Sequence, residues 1–148
     1  MAPEVDFYVL ADTDGRGRLL QACGLIEKAY RQNLTVCACL DSSSDLELLS
    51  ELLWTFEDRS FIPHERITNP DETRIGPPPA TPVWLGSTVS VTADLLVNLS
   101  ETLPTGYQHF PRIAELVDAD PKRRDAGRRR FVAYRDAGII PQTHRLNA

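Results

Sequence analysis

Short apolar runs alternate with amphipathic segments from residue 5 onward, and this alternation limits the chain to few architectures. The runs VDFYVLA (5–11) and LTVCACL (34–40) are apolar and β-branched or aromatic, which is typical of buried strands. Residues 18–32 carry apolar side chains at helical spacing, and residues 42–54 begin with serines and Asp45 and place their leucines on one face. Strands that alternate with helices favour a parallel sheet covered by helices. The predicted fold class is α/β.

The second half predicts further strands and one more helix. Four segments are predicted as strands or short extended segments: 60–64, 82–86, 93–100 and 112–117. A final helix is predicted over 121–137, because Asp120 and Pro121 are typical of a helix N-terminus and Gly138 of a helix end. Residues 68–82 hold five of the 11 prolines, which predicts an extended, irregular loop over the surface. We expect one domain over residues 1–148.

Composition removes several classes of protein from consideration. The sequence contains no run of the roughly 18 apolar residues that a membrane span needs, so no membrane partner is expected. The N-terminal MAPEVDFYVL has acids where a secretory signal has basic residues. Three cysteines without framework spacing fit a reducing compartment. The predicted location is the cytoplasm.

Motifs for catalysis or cofactor binding do not emerge from the sequence. The glycines of DGRGRLL follow a strand and precede a helix, but Leu20 stands where the dinucleotide fingerprint needs its third glycine. Cys37 and Cys39 share one face of a strand and are predicted to be core residues. Asp12 and Asp14 are typical turn acids, and the histidines stand alone. No catalytic residue, cofactor or metal site is predicted.

The positive charge of the chain is concentrated in one segment, KRRDAGRRRFVAYRDAG. Residues 122–135 hold seven basic residues against one acid, whereas residues 1–121 hold eight basic residues against 19 acids. The net charge of the whole chain is −5. An acidic body that carries one basic helix indicates a localised anion-binding site.

One stripe of the basic helix combines arginines with an aromatic ring. Arg124, Arg128, Phe131 and Arg135 follow the i, i+4, i+7, i+11 spacing that aligns side chains on a helix. A solvated face would also give this pattern. If the stripe is instead a binding site, it fits single-stranded nucleic acid, with phosphates bound by the arginines and a base stacked on the ring. It also fits an acidic peptide with a hydrophobic C-terminal residue. The acidic body favours the short peptide over a long polyanion.

Several segments resemble the chi subunit of bacterial DNA polymerase III. The segments are FYVL (7–10), LWTFEDRSFIPH (53–64), PVWL (82–85), DLLVNLSETLP (94–104) and RRRFVAYRDAG (128–138). The resemblance implies a Rossmann-like α/β domain without a nucleotide-binding fingerprint. It also implies a non-catalytic clamp-loader adaptor that pairs with the psi subunit and meets DNA only indirectly. The implied ligand is the acidic, Phe-terminated tail of single-stranded DNA-binding protein.

The resemblance assigns the tail-binding role to Arg124, Arg128 and Phe131, with Val117 near the pocket floor. Phe131 stands where the family often has tyrosine. Val132 occupies a tail-contact position where lysine is typical, which leaves Arg129 or Arg135 to supply that charge.

A second, partner-binding surface is implied for LWTFEDRSF. Trp54 and Phe61 resemble chi residues that meet psi or a competing helicase. Trp54 ends an amphipathic helix, so a core position is the alternative for this residue. Arg145 lies outside the helix stripe, and we expect it to have no part in tail binding.

Overall fold

The computed structural model describes residues 3–11, 16–55, 65–67, 83–86, 93–104 and 106–146. Strands and helices alternate along these ranges. The strands are β1 (Glu4–Leu10), β2 (Val36–Cys39), β3 (Glu65–Ile67), β4 (Val83–Gly86), β5 (Leu95–Asn98), β6 (Arg112–Val117) and β7 (Gln142–Leu146). The α-helices are α1 (Arg16–Arg31), α2 (Ser43–Thr55) and α3 (Pro121–Asp136).

The seven described strands form one sheet in the order β3-β4-β2-β5-β6-β1-β7. Every pairing among them is parallel. The architecture is the Rossmann-like α/β arrangement that the sequence predicts. The first strand, β1, lies between β6 and β7, so the connection from β6 through α3 to β7 crosses over β1. This crossover places α3 over the end of the sheet formed by β6, β1 and β7.

Alternate strand residues supply two separate cores. One core packs α1 and α2 against residues such as Ala38, Leu85 and Val97. The other core contains Phe7, Trp84, Ile113 and Tyr134 and lies on the α3 side. Alternation is expected because successive strand side chains point to opposite faces of a sheet.

The prediction that Cys37 and Cys39 are core residues is confirmed. Both side chains are buried in the core on the α3 side. Burial raises the pKa of the Cys37 thiol to about 12 and that of the Cys39 thiol to about 11. Both thiols are therefore protonated at neutral pH.

Helix α3 begins at the predicted residue and ends one residue before the predicted 137. The Asp120 side chain caps the helix by accepting a 3.0 Å hydrogen bond from the Arg123 amide, and Pro121 is the first helical residue. Gly138 adopts φ 86°, a left-handed conformation that favours glycine and ends the helix.

The buried face of α3 differs from the predicted one. The helical spacing of the apolar Ala126, Ala133, Tyr134 and Ala137 predicts that this face lies on the sheet. The structure shows instead that α3 buries Ala126, Gly127, Arg130 and Tyr134. Ala137 is exposed. The buried face includes Arg130 because its guanidinium group is paired with Glu115 of β6.

The strand predictions are partly confirmed and partly outside the described residues. Segment 112–117 is β6, as predicted, and the described residues of segment 82–86 form β4. Strand β5 is shorter than the predicted 93–100. Segments 60–64 and 68–82, with Asp12 and Asp14, lie outside the described residues. Strand β7 was not predicted. Within the described ranges, no helix has the length and apolarity required to cross a membrane.

Candidate functional site

A groove opens between α3 and β7, above the carboxyl ends of three strands. Its volume is about 240 Å³, and its walls are formed by Phe7, Val9, Val117, Arg124, Gly127, Arg128, Phe131, Thr143 and Arg145. Val117 is the last residue of β6, and Val9 and Arg145 each precede the last residue of their strands. Ligands of open parallel sheets bind outside the carboxyl ends of the strands, and the groove occupies that location.

The apolar floor depends on a close approach of α3 to β6. A Cβ atom added at Gly127 would lie 2.8 Å from Cγ2 of Val117, which is closer than real Cβ contacts. Only glycine therefore lets the helix approach Val117 without displacement of either element. The close approach leaves Val117 as the floor beneath the first turns of α3.

The ring of Phe131 is held at the groove by aromatic packing. Its centroid lies 5.3 Å from that of Phe7, and the Phe7 ring also packs edge-on against Tyr134 at 5.9 Å. Tyr134 is fully buried, whereas Phe131 is only partly buried. Phe131 thus offers apolar surface to the groove from a position fixed by the core.

A buried polar network anchors α3 to the sheet beside the groove. The Glu115 carboxylate accepts hydrogen bonds from Arg130 Nε at 2.8 Å, Tyr134 Oη at 2.7 Å and Asn98 Nδ2 at 2.9 Å. Burial raises the pKa of Glu115, and the charge of Arg130 opposes that rise. Burial, followed by the neighbouring Glu115, raises the pKa of Tyr134 as well.

Sequence reasoning missed this network, although a signal for it exists. Glu115 is the acid within the otherwise apolar run IAELV (113–117), and a buried acid requires a partner.

The arginines of α3 fall into two groups. Arg123 pairs with Asp118 and Arg129 with Asp125, each at 2.7 Å, and Arg130 pairs with Glu115. Across the described ranges, no acid lies within ion-pair distance of Arg124, Arg128 or Arg135 of α3, or of Arg145 of β7. Arg124, Arg128 and Arg145 line the groove, whereas Arg135 does not. The site therefore combines uncompensated positive charge with an apolar floor, which suits an anion that carries a hydrophobic group.

The structure brings most of the predicted tail-binding residues together. Val117, Arg124, Arg128 and Phe131 line the groove. Val132 and Arg135 are not among its lining residues; Val132 is 51% exposed and Arg135 is also exposed.

The position of Arg145 differs from the expected one. It was expected outside the site, but it lines the groove because β7 lies beside β1. A polar strand that follows the basic helix gave no sequence signal for this contact.

The second predicted surface is only partly described. Trp54 belongs to α2, but the structure does not describe its side chain. Phe61 is not among the described residues. The described residues contain no cluster of three or more potential metal ligands.

Comparisons with known proteins agree on one family. The model of the family described as "DNA polymerase III chi subunit, HolC" matches residues 2–142. DNA polymerase III subunit chi of Pseudomonas aeruginosa is 38% identical over 143 residues, which cover 96% of each chain. DNA polymerase III subunit chi of Escherichia coli is 25% identical over 137 residues, 90% of this chain and 91% of that protein.

Proposed function

The chain belongs to the DNA polymerase III chi subunit family, and therefore to the machinery of DNA replication, and we propose that it acts there as a non-catalytic adaptor. In this proposal the α3–β7 groove binds the acidic, Phe-terminated C-terminal tail of single-stranded DNA-binding protein. The adaptor connects that protein to the clamp loader in the cytoplasm. No cofactor enters the proposal.

The observation that carries the proposal is the set of unpaired arginines around an apolar floor. A peptide C-terminus is a planar carboxylate, and a guanidinium group can bind it through two parallel hydrogen bonds. Arg128 lies one turn before Phe131 on the same wall of the groove, so the carboxylate and the terminal ring of the peptide would meet neighbouring partners. Val117 supplies apolar contact below them.

The size of the groove favours the end of a peptide over a nucleotide-sized molecule. Pockets that enclose drug-sized ligands measure roughly 300–1,000 Å³, whereas this groove measures about 240 Å³. One aromatic side chain with its carboxylate is a suitable occupant.

Direct binding of single-stranded DNA is the competing function, and the charge of the chain opposes it. Nucleic-acid grooves follow the backbone with positive charge over several nucleotides. Here the chain carries 21 acids against 16 basic residues, and Arg123, Arg129 and Arg130 are already paired with acids. A short acidic tail that docks at one groove avoids the repulsion that a long strand would meet.

We further propose that Trp54 and Phe61 bind a psi subunit or an equivalent partner. The resemblance of LWTFEDRSF to the chi residues that meet psi supports this assignment. Helix α2 packs into the core opposite the one that contains Tyr134 of α3. A partner that binds at α2 would therefore lie on the face of the sheet opposite the groove.

Fluorescence anisotropy with two labelled probes tests the tail-binding function. An acidic, Phe-terminated peptide should bind in the micromolar range, about −8 kcal/mol, and more weakly at high salt because exposed charges are screened. An oligonucleotide of mixed sequence should not bind at the same concentrations. Binding of the oligonucleotide without the peptide would overturn the proposal in favour of direct DNA binding.

A further inference from the structure

We propose that Arg145 of β7 is a specificity-determining residue that receives the acidic side chains upstream of the terminal Phe. The peptide would then leave the groove across β7, and not along α3 toward Arg135. This inference rests on the proposed tail-binding function and adds to it the direction of the bound chain.

The register of β7 places Arg145 on the groove side of the sheet. In the parallel pairing of β1 and β7, Phe7 is the partner of Thr143 and Val9 is the partner of Arg145. Phe7 contacts Phe131 and Tyr134 of α3, so its side chain points to the α3 face. Paired residues of neighbouring strands point to the same face. Thr143 and Arg145 accordingly form the wall opposite α3, as their place in the groove lining shows.

Contacts on the other face of the sheet hold this register. The His144 ring stacks on Tyr8 with centroids 5.1 Å apart, and its Nε2 lies 2.9 Å from Asp6 Oδ1. A shift of β7 by one residue would break both contacts and turn Arg145 away from the groove. The register of β7 therefore places the Arg145 side chain at the groove, although the polar sequence of the strand carries no pattern that predicts this.

The distribution of charge decides between the two exits from the groove. Arg145 is exposed and has no acid at ion-pair distance among the described residues. Strand β7 contains no acidic residue and is one of the two edge strands of the described sheet, so an acidic chain that crosses it meets no repulsion from the strand itself. The exit along α3 passes the apolar and exposed Val132. Arg135 also has no acid at ion-pair distance among the described residues, but unlike Arg145 it does not line the groove, and the acidic Asp136 follows it in α3. The path over β7 is the more favourable one for aspartates.

Charge reversal at two arginines tests the direction of the peptide. Arg145→Glu and Arg135→Glu change the net charge equally, and both sites are exposed, so any difference between them reports position. Titration with the acidic, Phe-terminated peptide should show about a tenfold or greater loss of affinity for Arg145→Glu, as expected for a charged hydrogen bond. The loss for Arg135→Glu should be at most about threefold.

A peptide with lysines in place of its upstream aspartates completes the test. Relative to wild type, Arg145→Glu should favour this peptide over the acidic one, and Arg135→Glu should not. Arg145→Gln, measured alongside, removes the charge with little change of size, and thermal unfolding of each variant shows whether it is folded.

The outcomes separate this inference from the proposed function. Absence of peptide binding by the wild-type chain would overturn both. Wild-type binding with equal losses for the two reversals, or with the larger loss for Arg135→Glu, would overturn the path over β7 alone and leave the adaptor function standing.

Discussion

Arg128 is the side chain on which recognition of a terminal carboxylate depends most. It lines the groove one turn before Phe131 and has no acidic partner among the described residues. Its free guanidinium group can therefore give both of its parallel donors to a ligand. An ammonium group would supply the same charge without that geometry.

Replacement of Arg128 should separate the effect of geometry from the effect of charge. Arg128→Ala should cost about 1.5–3 kcal/mol of peptide affinity, the range for hydrogen bonds to charged groups, and Arg128→Lys should recover only part of it. Arg129→Ala is the matched control, because Arg129 is exposed and already paired with Asp125. Isothermal titration with one acidic peptide gives all three values. Equal affinity of Arg128→Lys and wild type would show that only a diffuse positive field acts.

Glu115 and Arg130 form a second residue-scale pair, with a structural role. Both side chains are buried, so loss of one leaves the other without a counter-charge. Breaking a buried ion pair costs about 3–5 kcal/mol. An unpaired buried carboxyl can reduce this cost by taking up a proton.

Arg130→Met should consequently show a stability loss that depends on pH. The pKa of Glu115 is already raised by burial, and loss of Arg130 removes the charge that opposes the rise. A carboxyl whose folded pKa exceeds its unfolded value of about 4.3 favours the folded state when protonated. The deficit of the variant should therefore be smallest near pH 4–5 and should grow as the pH rises through the raised pKa. Urea unfolding at several pH values measures it, and a deficit that shrinks with rising pH would contradict the assignment. The exposed Arg129→Met should show little loss at any pH.

At the scale of elements, the groove exists because α3 and β7 are positioned by different interactions. The Gly127–Val117 approach, the Phe7 ring and the Glu115 network hold α3 over β6 and β1. The pairing with β1, supported by the contacts of His144, holds β7. A change in the distance between α3 and β6 should therefore alter the groove directly.

Two glycine-to-alanine changes test the close approach of α3. Gly127→Ala should weaken peptide binding and destabilise the fold, because its Cβ would meet Val117 at 2.8 Å. Gly24→Ala in α1 meets nothing within 4 Å. It should stabilise the chain by about 0.5–1 kcal/mol, the usual difference between these residues inside a helix. Thermal unfolding and peptide titration of both variants give the comparison. Unchanged stability and affinity for Gly127→Ala would show that the helix is not held close to β6.

The sequence predicts one wall of the groove and not the other. Helix α3 has a strong N-terminal signal at Asp120–Pro121, and its arginine stripe follows from helical spacing alone. Strand β7 has neither an apolar run nor alternation, because QTHRL is stabilised by pairing with β1 and by the contacts of His144. For the same reason Arg145 could not be assigned to the site from the sequence. Arg130 was also missed, since helical periodicity counts an arginine as solvent-facing and cannot locate Glu115.

At the scale of the whole molecule, the groove and helix α2 lie on different layers. The groove belongs to the α3 side of the sheet, whereas α2 packs its leucines into the other core. A ligand in the groove would not cover α2. Simultaneous binding of two partners is what an adaptor requires.

Trp54→Ala should therefore abolish capture of the psi-like partner and leave affinity for the acidic peptide unchanged. Arg128→Ala is the reciprocal control, which should retain the partner and weaken binding of the peptide. Pull-down of clamp-loader proteins and peptide titration, made on the same two variants, measure both effects. If Trp54→Ala unfolds instead, as loss of a buried aromatic side chain of about 3–5 kcal/mol would cause, Trp54 is a core residue and the proposed surface is wrong.

Mapping of amide chemical shifts on the isotopically labelled chain, during titration with the acidic, Phe-terminated peptide, tests the location of the tail site most directly. The largest changes should fall on Val117, Gly127, Phe131 and Thr143, which line the groove from three different elements. Residues on the opposite face, such as Leu49 and Leu53 of α2, should change little. Changes that cluster around α2, or that spread evenly over the basic residues of α3 without Val117 and Thr143, would contradict a tail site in this groove.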